Sequence, residues 1–194
     1  MIYNSEALIL NTRQYGDTSL ICNLFTKQYG KLSIISKGAR TLKNPNRAIL
    51  QPAQFIDLHY YYKPGRNIQI LKEASINQHF FHIHENYGKI LLSYNIIDIT
   101  NQICITDNPN KIIFRLVKKV LNKIDQSDNN KIHLYYVFFN IQLLKYLGYQ
   151  PIIEHCVSCN ANLKQANYNF NLGQLTCSKC TQTHHYYKSL ILTT

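Results

Sequence analysis

Short apolar runs alternate with turn-forming residues through the first 78 residues of the chain. The runs cover residues 7–10, 19–25, 32–36, 55–62 and 68–74, and turns that contain glycine or proline separate them. Apolar runs of this length between such turns are typical of β-strands. Because closing a five-stranded sheet removes its exposed edges, the pattern predicts a small barrel of the OB type over residues 1–78. An SH3-like barrel is the alternative that the spacing leaves open.

The apolar spacing becomes helical over residues 79–150. Residues 111–124 carry apolar side chains at every third or fourth position, with lysines and an arginine on the opposite side. Residues 132–151 are apolar on nearly every side, which indicates a helix buried among others. The pattern of apolar residues over 90–105 also predicts a helix, which precedes these two in the chain. The pattern therefore predicts a central helical bundle and an α+β chain.

Four cysteines near the end of the chain form the pattern C-x₂-C-x₁₇-C-x₂-C, and they are Cys156, Cys159, Cys177 and Cys180. Two such pairs present four thiolates in a tetrahedron, which is the usual arrangement of a zinc site. Four protein ligands leave no open position for water, so we expect one structural Zn²⁺ per chain in a zinc ribbon or knuckle. This segment, residues 151–194, is expected to pack on the helical domain. An iron–sulfur cluster and a redox-active dithiol are the alternatives.

The charge of the chain is strongly one-sided. The formal net charge is +11, and residues 18–56 contain no acidic side chain. A one-signed surface favours a polyanionic partner, although a merely solvated loop is the alternative. Arg13 and Arg66 are predicted to lie in turns that extend the basic surface. The candidate DNA-binding residues are Arg13, Lys27, Lys31, Lys37, Arg40, Lys43, Arg47 and Arg66.

Tyrosines lie close to these cations in the sequence. Tyr15, Tyr29 and the run 60–62 could stack on bases, as aromatic side chains do in single-strand binding proteins. Packing into the barrel wall is the alternative for each of them. The cationic side of residues 111–123 suggests a docking face for an acidic, partly apolar peptide, with a membrane surface as the alternative. Its candidate residues are Lys111, Arg115, Lys118 and Lys119.

Motifs for catalysis are missing from the sequence. The chain has no Walker-type phosphate loop and no HExxH motif, and ten acidic residues leave little for a two-metal centre. We therefore expect a protein that is not an enzyme. The chain also lacks a secretion signal and an apolar run long enough to span a membrane, so we expect a cytoplasmic location.

The N-terminal residues resemble those of the RecO family of bacterial recombination mediators. The resemblance lies in Tyr15-Gly16-Asp17, in the segment LFTKQYG at 24–30, in KGAR at 37–40 and in Leu50-Gln51-Pro52. The order of barrel, helices and paired cysteines is similar to the zinc-bearing branch of that family. Family members usually continue past the second cysteine pair into further helix. Here residues 181–194 follow, so we expect an incomplete or rearranged bundle.

The resemblance implies a role in DNA repair and homologous recombination. RecO-like proteins bind single- and double-stranded DNA, anneal complementary strands and help RecR to load RecA onto DNA coated by the single-strand binding protein SSB. They also bind the acidic C-terminal tail of SSB through the helical region. The expected location is therefore the bacterial cytoplasm, with the nucleoid. An RNA-binding protein of translation or transcription is the main alternative, and a thiol–disulfide oxidoreductase is a third.

Overall fold

The computed structural model describes residues 1–149, 152–169, 173–181 and, for the backbone alone, 187–191. Contacts within the chain divide it into two compact units, Met1–Asn140 and Ile141–Thr194. The predicted division into domains at residues 78 and 150 remains a prediction. Every helix in the described part of the chain is too short or too polar to cross a lipid bilayer.

The first unit begins with a closed barrel of five strands. The strands are β1 (Ile2–Tyr15), β2 (Ser19–Thr26), β3 (Gly30–Ser36), β4 (Phe55–Tyr61) and β5 (Ile68–Gln78), in the order β1-β2-β3-β5-β4 around the barrel. All neighbours pair antiparallel except β3 and β5, which pair parallel. This order is that of an OB-fold, so the predicted barrel is confirmed and the SH3-like alternative is wrong.

Every second side chain along the strands points inward, and these side chains fill the interior of the barrel. In β3, for example, Leu32 and Ile34 point into the core, while Lys31 and Ser33 lie on the outer side. The core also contains Ala7, Ile9, Cys22, Leu24, Leu50, Ile56, Leu58 and Tyr60, all at most 1% exposed. Burying these side chains supplies the main driving force for folding this part of the chain.

Within the described residues, three helices follow the helical spacing of the sequence, and one further short helix was not predicted. They are α1 (Asn46–Ile49), α2 (Tyr87–Ile103), α3 (Lys111–Gln126) and α4 (Ile132–Tyr146). Asn86 and Asn110 cap α2 and α3 by accepting hydrogen bonds from backbone N–H groups of the first turn. The apolar side of α3 is buried on the outer face of the barrel, where Phe114 contacts the rings of Phe25 and Phe55.

A buried polar network joins α2, α3 and the segment after β5. The Asp125 carboxylate accepts hydrogen bonds from the backbone N–H groups of His82 and Ile83, at 2.8 and 2.9 Å. The Lys89 ammonium donates to the backbone carbonyl oxygen of Asp125 at 2.7 Å, near the C-terminal end of α3. A cation at that end is favourable because the last carbonyl groups of a helix carry partial negative charge. The network therefore fixes the start of α2 against the end of α3.

The prediction that residues 132–151 form a helix buried among others is wrong about the burial. Leu134, Val137 and Phe138 of α4 are 66%, 52% and 40% exposed, whereas Ile132 and Phe139 are buried. Among the residues that the structure describes, too few elements pack around α4 to cover an all-apolar helix. Gly148 ends the last turn with a left-handed φ of 85°, as its position in the sequence suggests, and Pro151 lies outside the described residues.

The second unit contains a three-stranded sheet that was not predicted. Its strands are β6 (Gln165–Asn169), β7 (Gln174–Thr176) and β8 (Tyr187–Ile191), in the order β7-β6-β8 with antiparallel pairing. Turns around Cys156–Cys159 and Cys177–Cys180 flank the first two strands. A short apolar core supports this unit, with Ala166 and Leu175 buried.

Candidate nucleic-acid interface and metal centre

Four of the predicted DNA-binding cations lie together on the segment between β3 and β4, and we call them the loop patch. They are Lys37, Arg40, Lys43 and Arg47. The segment is ordered by Arg40, whose backbone N–H donates to the Thr18 carbonyl oxygen at 2.8 Å and whose guanidinium donates to that of Gly16 at 3.1 Å. These bonds hold the loop patch beside the turn between β1 and β2. Among the described residues, no acidic side chain forms an ion pair with the patch.

Arg13 lies on strand β1 and not in a turn, so that part of the prediction is wrong. It is exposed, and it pairs with Ile21 of β2, which in turn pairs with Ile35 of β3. Residues that pair across antiparallel strands share a face, so Arg13 points to the outer side of the barrel. The exposed Tyr15 follows two residues later on the same face. Arg13 therefore extends a cationic surface across β1.

Lys27 and Lys31 make contacts inside the protein instead of joining the loop patch. Lys27 forms an ion pair with Glu6, with Nζ and Oε2 3.0 Å apart. The ammonium of Lys31 donates to the carbonyl oxygen of Asn101 at 2.9 Å, near the end of α2. Both cations are therefore engaged within the protein, and their role in DNA binding stays a prediction. Lys27 directly follows β2 and reaches Glu6 on β1, whereas Lys31 on β3 reaches the end of α2.

Lys118 also turns toward the barrel and away from the predicted docking face. Its ammonium contacts the Glu6 carboxylate, donates to Asn77 Oδ1 at 2.7 Å and lies 5.4 Å from the centre of the Phe55 ring. Lys111, Arg115 and Lys119 remain exposed on the outer side of α3. Three of the four cations of the predicted docking face are therefore exposed, and peptide binding there stays a prediction.

Two cations hold the Glu6 carboxylate in its charged form. Partial burial raises the pKa of Glu6, but hydrogen bonds and attraction from Lys118 and Lys27 outweigh that effect and lower the pKa below its ordinary value. The side chain of Glu6 is only 14% exposed, so its interactions are screened less than those at the surface. The three side chains join strand β1, the end of β2 and helix α3.

Arg66 lies in the turn between β4 and β5, as predicted. The Arg66 N–H donates to the carbonyl oxygen of Lys63 at 3.3 Å, which closes the turn around Pro64 and Gly65. Gly65 has a φ of 74°, which favours glycine. Lys63 is a second exposed cation in this turn that the sequence analysis did not select, although the Lys63-Pro64-Gly65-Arg66 motif marked its position.

The tyrosines divide into a packed set and an exposed set. Tyr3, Tyr29 and Tyr60 form ring contacts with centroids 5.2–6.2 Å apart, and Tyr62 lies 4.7 Å from Tyr3. Burial, followed by repulsion from neighbouring acidic groups, raises the pKa of Tyr60 and keeps its hydroxyl neutral. Packing therefore accounts for these tyrosines. Tyr15 and Tyr61 are 57% and 46% exposed, so both are accessible to a base.

The four cysteines predicted to bind a metal come together in the second unit. The Sγ atoms of Cys156, Cys159, Cys177 and Cys180 all lie within 4.8 Å of one another. The Cys159 and Cys177 sulfurs are 3.7 Å apart. Sulfur atoms about 2.3 Å from one tetrahedral ion would be about 3.8 Å apart, so the cluster fits a four-thiolate metal site. The predicted grouping is confirmed.

Backbone N–H groups favour the thiolate form of Cys156 and Cys177, whereas hydrogen bonds with Cys159 and Cys177 raise the pKa of Cys180 to about 12. The N–H of Cys177 donates to Cys156 Sγ at 3.3 Å. Burial raises the pKa of Cys156, but hydrogen bonds from backbone N–H groups outweigh it and lower the pKa to about 6. By contrast, burial raises the pKa of Cys22 and Cys104 to about 12, which keeps both as neutral thiols in the first unit. His184 and His185, which neighbour the cluster in sequence, lie outside the described residues.

Family comparisons agree with this arrangement over almost the whole chain. The family model described as "Recombination protein O N terminal" matches residues 1–80, and the model described as "Recombination protein O C terminal" matches residues 84–187. The second match alone covers more than half of the chain. This chain belongs to the RecO family. The resemblance of the N-terminal motifs to RecO is therefore confirmed.

Curated RecO relatives are similar along most of this chain. The DNA repair protein RecO of Syntrophus aciditrophicus is 30% identical over 184 residues, which are 93% of this chain and 70% of the relative. That of Thermodesulfovibrio yellowstonii is 29% identical over 98% of this chain and 75% of the relative. That of Salinibacter ruber is 31% identical over 79% of this chain, but the match spans only 58% of that relative.

Proposed function

We propose that the protein acts in DNA repair by binding single- and double-stranded DNA through its OB-fold barrel. The loop patch carries this proposal, because four cations without acidic partners lie on one ordered segment beside the exposed Arg13. Such a surface neutralises phosphates and releases counterions without reading bases. The names of the RecO relatives support DNA repair as the setting.

Strand annealing follows from the same electrostatics. Cations that screen two like-charged strands let complementary bases meet, and no covalent step is needed. We therefore propose a mediator that anneals strands, and that acts with RecR to load RecA on SSB-coated DNA in the bacterial cytoplasm. Lys111, Arg115 and Lys119 are the proposed contacts for the acidic SSB tail, since exposed cations steer such a peptide. We propose Zn²⁺ as the metal of the four-cysteine cluster.

We also propose that residues 1–78, 79–150 and 151–194 act as barrel, helical and metal-binding parts. The barrel strands end at Gln78, and the cysteine cluster begins at Cys156. This division assigns DNA to the first part and protein partners to the second.

The salt dependence of DNA binding tests the loop patch. A single-stranded oligonucleotide that contacts four cations should give a slope of log K against log salt of roughly −3. The double variant Lys43→Ala/Arg47→Ala should reduce that slope by about 1.4, because two contacts are lost. Fluorescence anisotropy of a labelled oligonucleotide measures both.

A matched control separates the patch from net charge. Lys72→Ala/Lys131→Ala removes two exposed cations that lie outside the loop patch, so its slope should equal that of the wild type. Equal slopes for the two double variants would contradict the proposal. Competition with RNA of equal length tests the alternative, since a strong preference for RNA would favour an RNA-binding protein.

A further inference from the structure

A cavity of about 390 Å³ opens on the first unit where β3 and β5 separate. The parallel pairing of these strands covers only Ser33–Ile35 of β3. The start of β3 is covered instead by the segment between α2 and α3, where Thr106 bridges to Gly30 and Lys31. The turn between β4 and β5 forms the opposite wall. A volume of this size lies within the range of small-molecule sites, about 300–1,000 Å³.

The wall formed by the turn is held by a buried glutamine. Gln69 is only 3% exposed, and its Oε1 accepts from the Lys63 N–H at 2.9 Å. Its Nε2 donates to the carbonyl oxygens of Lys63 and Arg66, at 3.2 and 2.7 Å. These bonds fix both ends of a turn that the φ of Gly65 already restricts. A turn ordered before binding loses less conformational freedom when a ligand binds.

The cavity combines positive charge with one carboxylate. Lys63 and Arg66 lie on the wall formed by the turn, and Lys31 and Asp107, which has a left-handed φ of 56°, lie on the opposite wall. Within the described residues, neither Lys63 nor Arg66 pairs with an acid. An arginine and a lysine suit a phosphate group, whereas a carboxylate repels a bare anion and accepts hydrogen bonds from amino or hydroxyl groups. A ligand with both a phosphate and such donors matches both sides.

We propose that this cavity, the turn pocket, binds one nucleotide unit of a DNA strand. Lys63 and Arg66 contact its phosphate, and Asp107 accepts a hydrogen bond from its base or sugar. The half-buried Tyr62, which also lines the turn pocket, supplies apolar contact. This inference rests on the proposed DNA binding, and it adds a site that the basic loop patch does not contain. A free nucleoside monophosphate has the same chemistry and serves as the probe.

The test is a titration followed by the backbone amide NMR signals of the ¹⁵N-labelled full chain. Deoxyguanosine monophosphate should shift the Gly65 and Asp107 signals saturably, and inorganic phosphate should bind at least fivefold more weakly. Lys63→Ala/Arg66→Ala should weaken nucleotide binding at least tenfold, because both proposed phosphate contacts are lost. Both side chains are exposed, so the variant should keep the fold. Lys72→Ala/Lys131→Ala, which removes the same charge elsewhere, should change it less than twofold.

A single-stranded oligonucleotide then identifies the source of the nucleotide. It should displace the monophosphate from the turn pocket and shift the same signals. Strand binding that leaves these signals unchanged would overturn the inference in favour of a free nucleotide, while the proposed DNA binding would stand. Phosphate binding as tight as nucleotide binding, or no response of either signal to nucleotide, would also overturn it. Absence of any strand binding by anisotropy would instead refute the proposed function.

Discussion

Replacing Gly30 by alanine should destabilise the barrel more than the same replacement at Gly16. Both glycines have left-handed backbones, with φ of 73° and 55°. A Cβ at Gly30 would lie 2.6–2.7 Å from backbone atoms of Asn108, whereas a Cβ at Gly16 would meet no atom within 4 Å. The two changes therefore share the backbone strain and differ in the steric clash.

The expected magnitudes follow from these two contributions. A left-handed alanine costs about 1–2 kcal/mol in the free energy of unfolding. A clash in a packed region adds typically about 1–3 kcal/mol. Gly16→Ala should therefore cost about 1–2 kcal/mol, and Gly30→Ala about 2–5 kcal/mol. Backbone atoms of Asn108 cannot move aside as a side-chain end does, so the whole segment between α2 and α3 must shift.

Hydrogen exchange of the native protein measures the effect in the first unit alone. The slowest amides of β2 and β3 should exchange faster in Gly30→Ala than in Gly16→Ala. The ratio of the two exchange rates should correspond to the extra destabilisation of about 1–3 kcal/mol from the clash. The amide of Lys31, which donates to the Ile105 carbonyl oxygen at 3.2 Å, should lose the most protection. Equal losses in the two variants would refute the packing of this segment on Gly30.

Two further predictions concern the metal and the pH. Cys159→Ser should lower the metal content below one ion per chain, as measured by elemental analysis. It should also unfold the second unit, as followed by circular dichroism, because metal binding on the order of 10 kcal/mol stabilises that unit. Cys104→Ala should keep the full metal content. Since the pKa of Glu6 is lowered in the folded state, its stabilisation is complete above its unfolded value near 4.3 and is lost as the pH falls through the folded pKa. Denaturant unfolding should show that Glu6→Gln lowers the free energy of unfolding by about 1 kcal/mol at pH 6 and by less at pH 3.

The barrel could be predicted because its information is local. Each apolar run coincides with an observed strand, apart from Tyr62 one residue past the end of β4, and each predicted turn separates two strands. Strand β1 is nonetheless 14 residues long, far more than the run at 7–10. It is longer because its first half pairs with β4 and its second half with β2, with an irregularity between Ile9 and Asn11. Polar residues outside the apolar run therefore still lie within a strand.

The cysteine cluster was also predictable, whereas the sheet around it was not. Spacing within each C-x₂-C pair fixes a local turn, and four thiolates favour one site whatever lies between them. The strand Gln165–Asn169 is mostly polar and has no apolar alternation to mark it. In α4 the apolar pattern predicted burial, but burial depends on which other elements are present to cover a helix. The composition of one helix does not contain that information.

The positions of Lys27 and Lys118 show why counting cations does not define a DNA-binding surface. Glu6 on β1 pairs directly with Asp57 on β4, so two carboxylates share one outer face of the barrel. Like charges directly opposite each other destabilise a sheet. Lys27 and Lys118 relieve that repulsion by contacting Glu6, and Asn77 donates to both Asp57 oxygens at 3.0 Å. These two cations are therefore required where the acids are, whereas residues 18–56, which contain the loop patch, include no acidic side chain that would need such a partner.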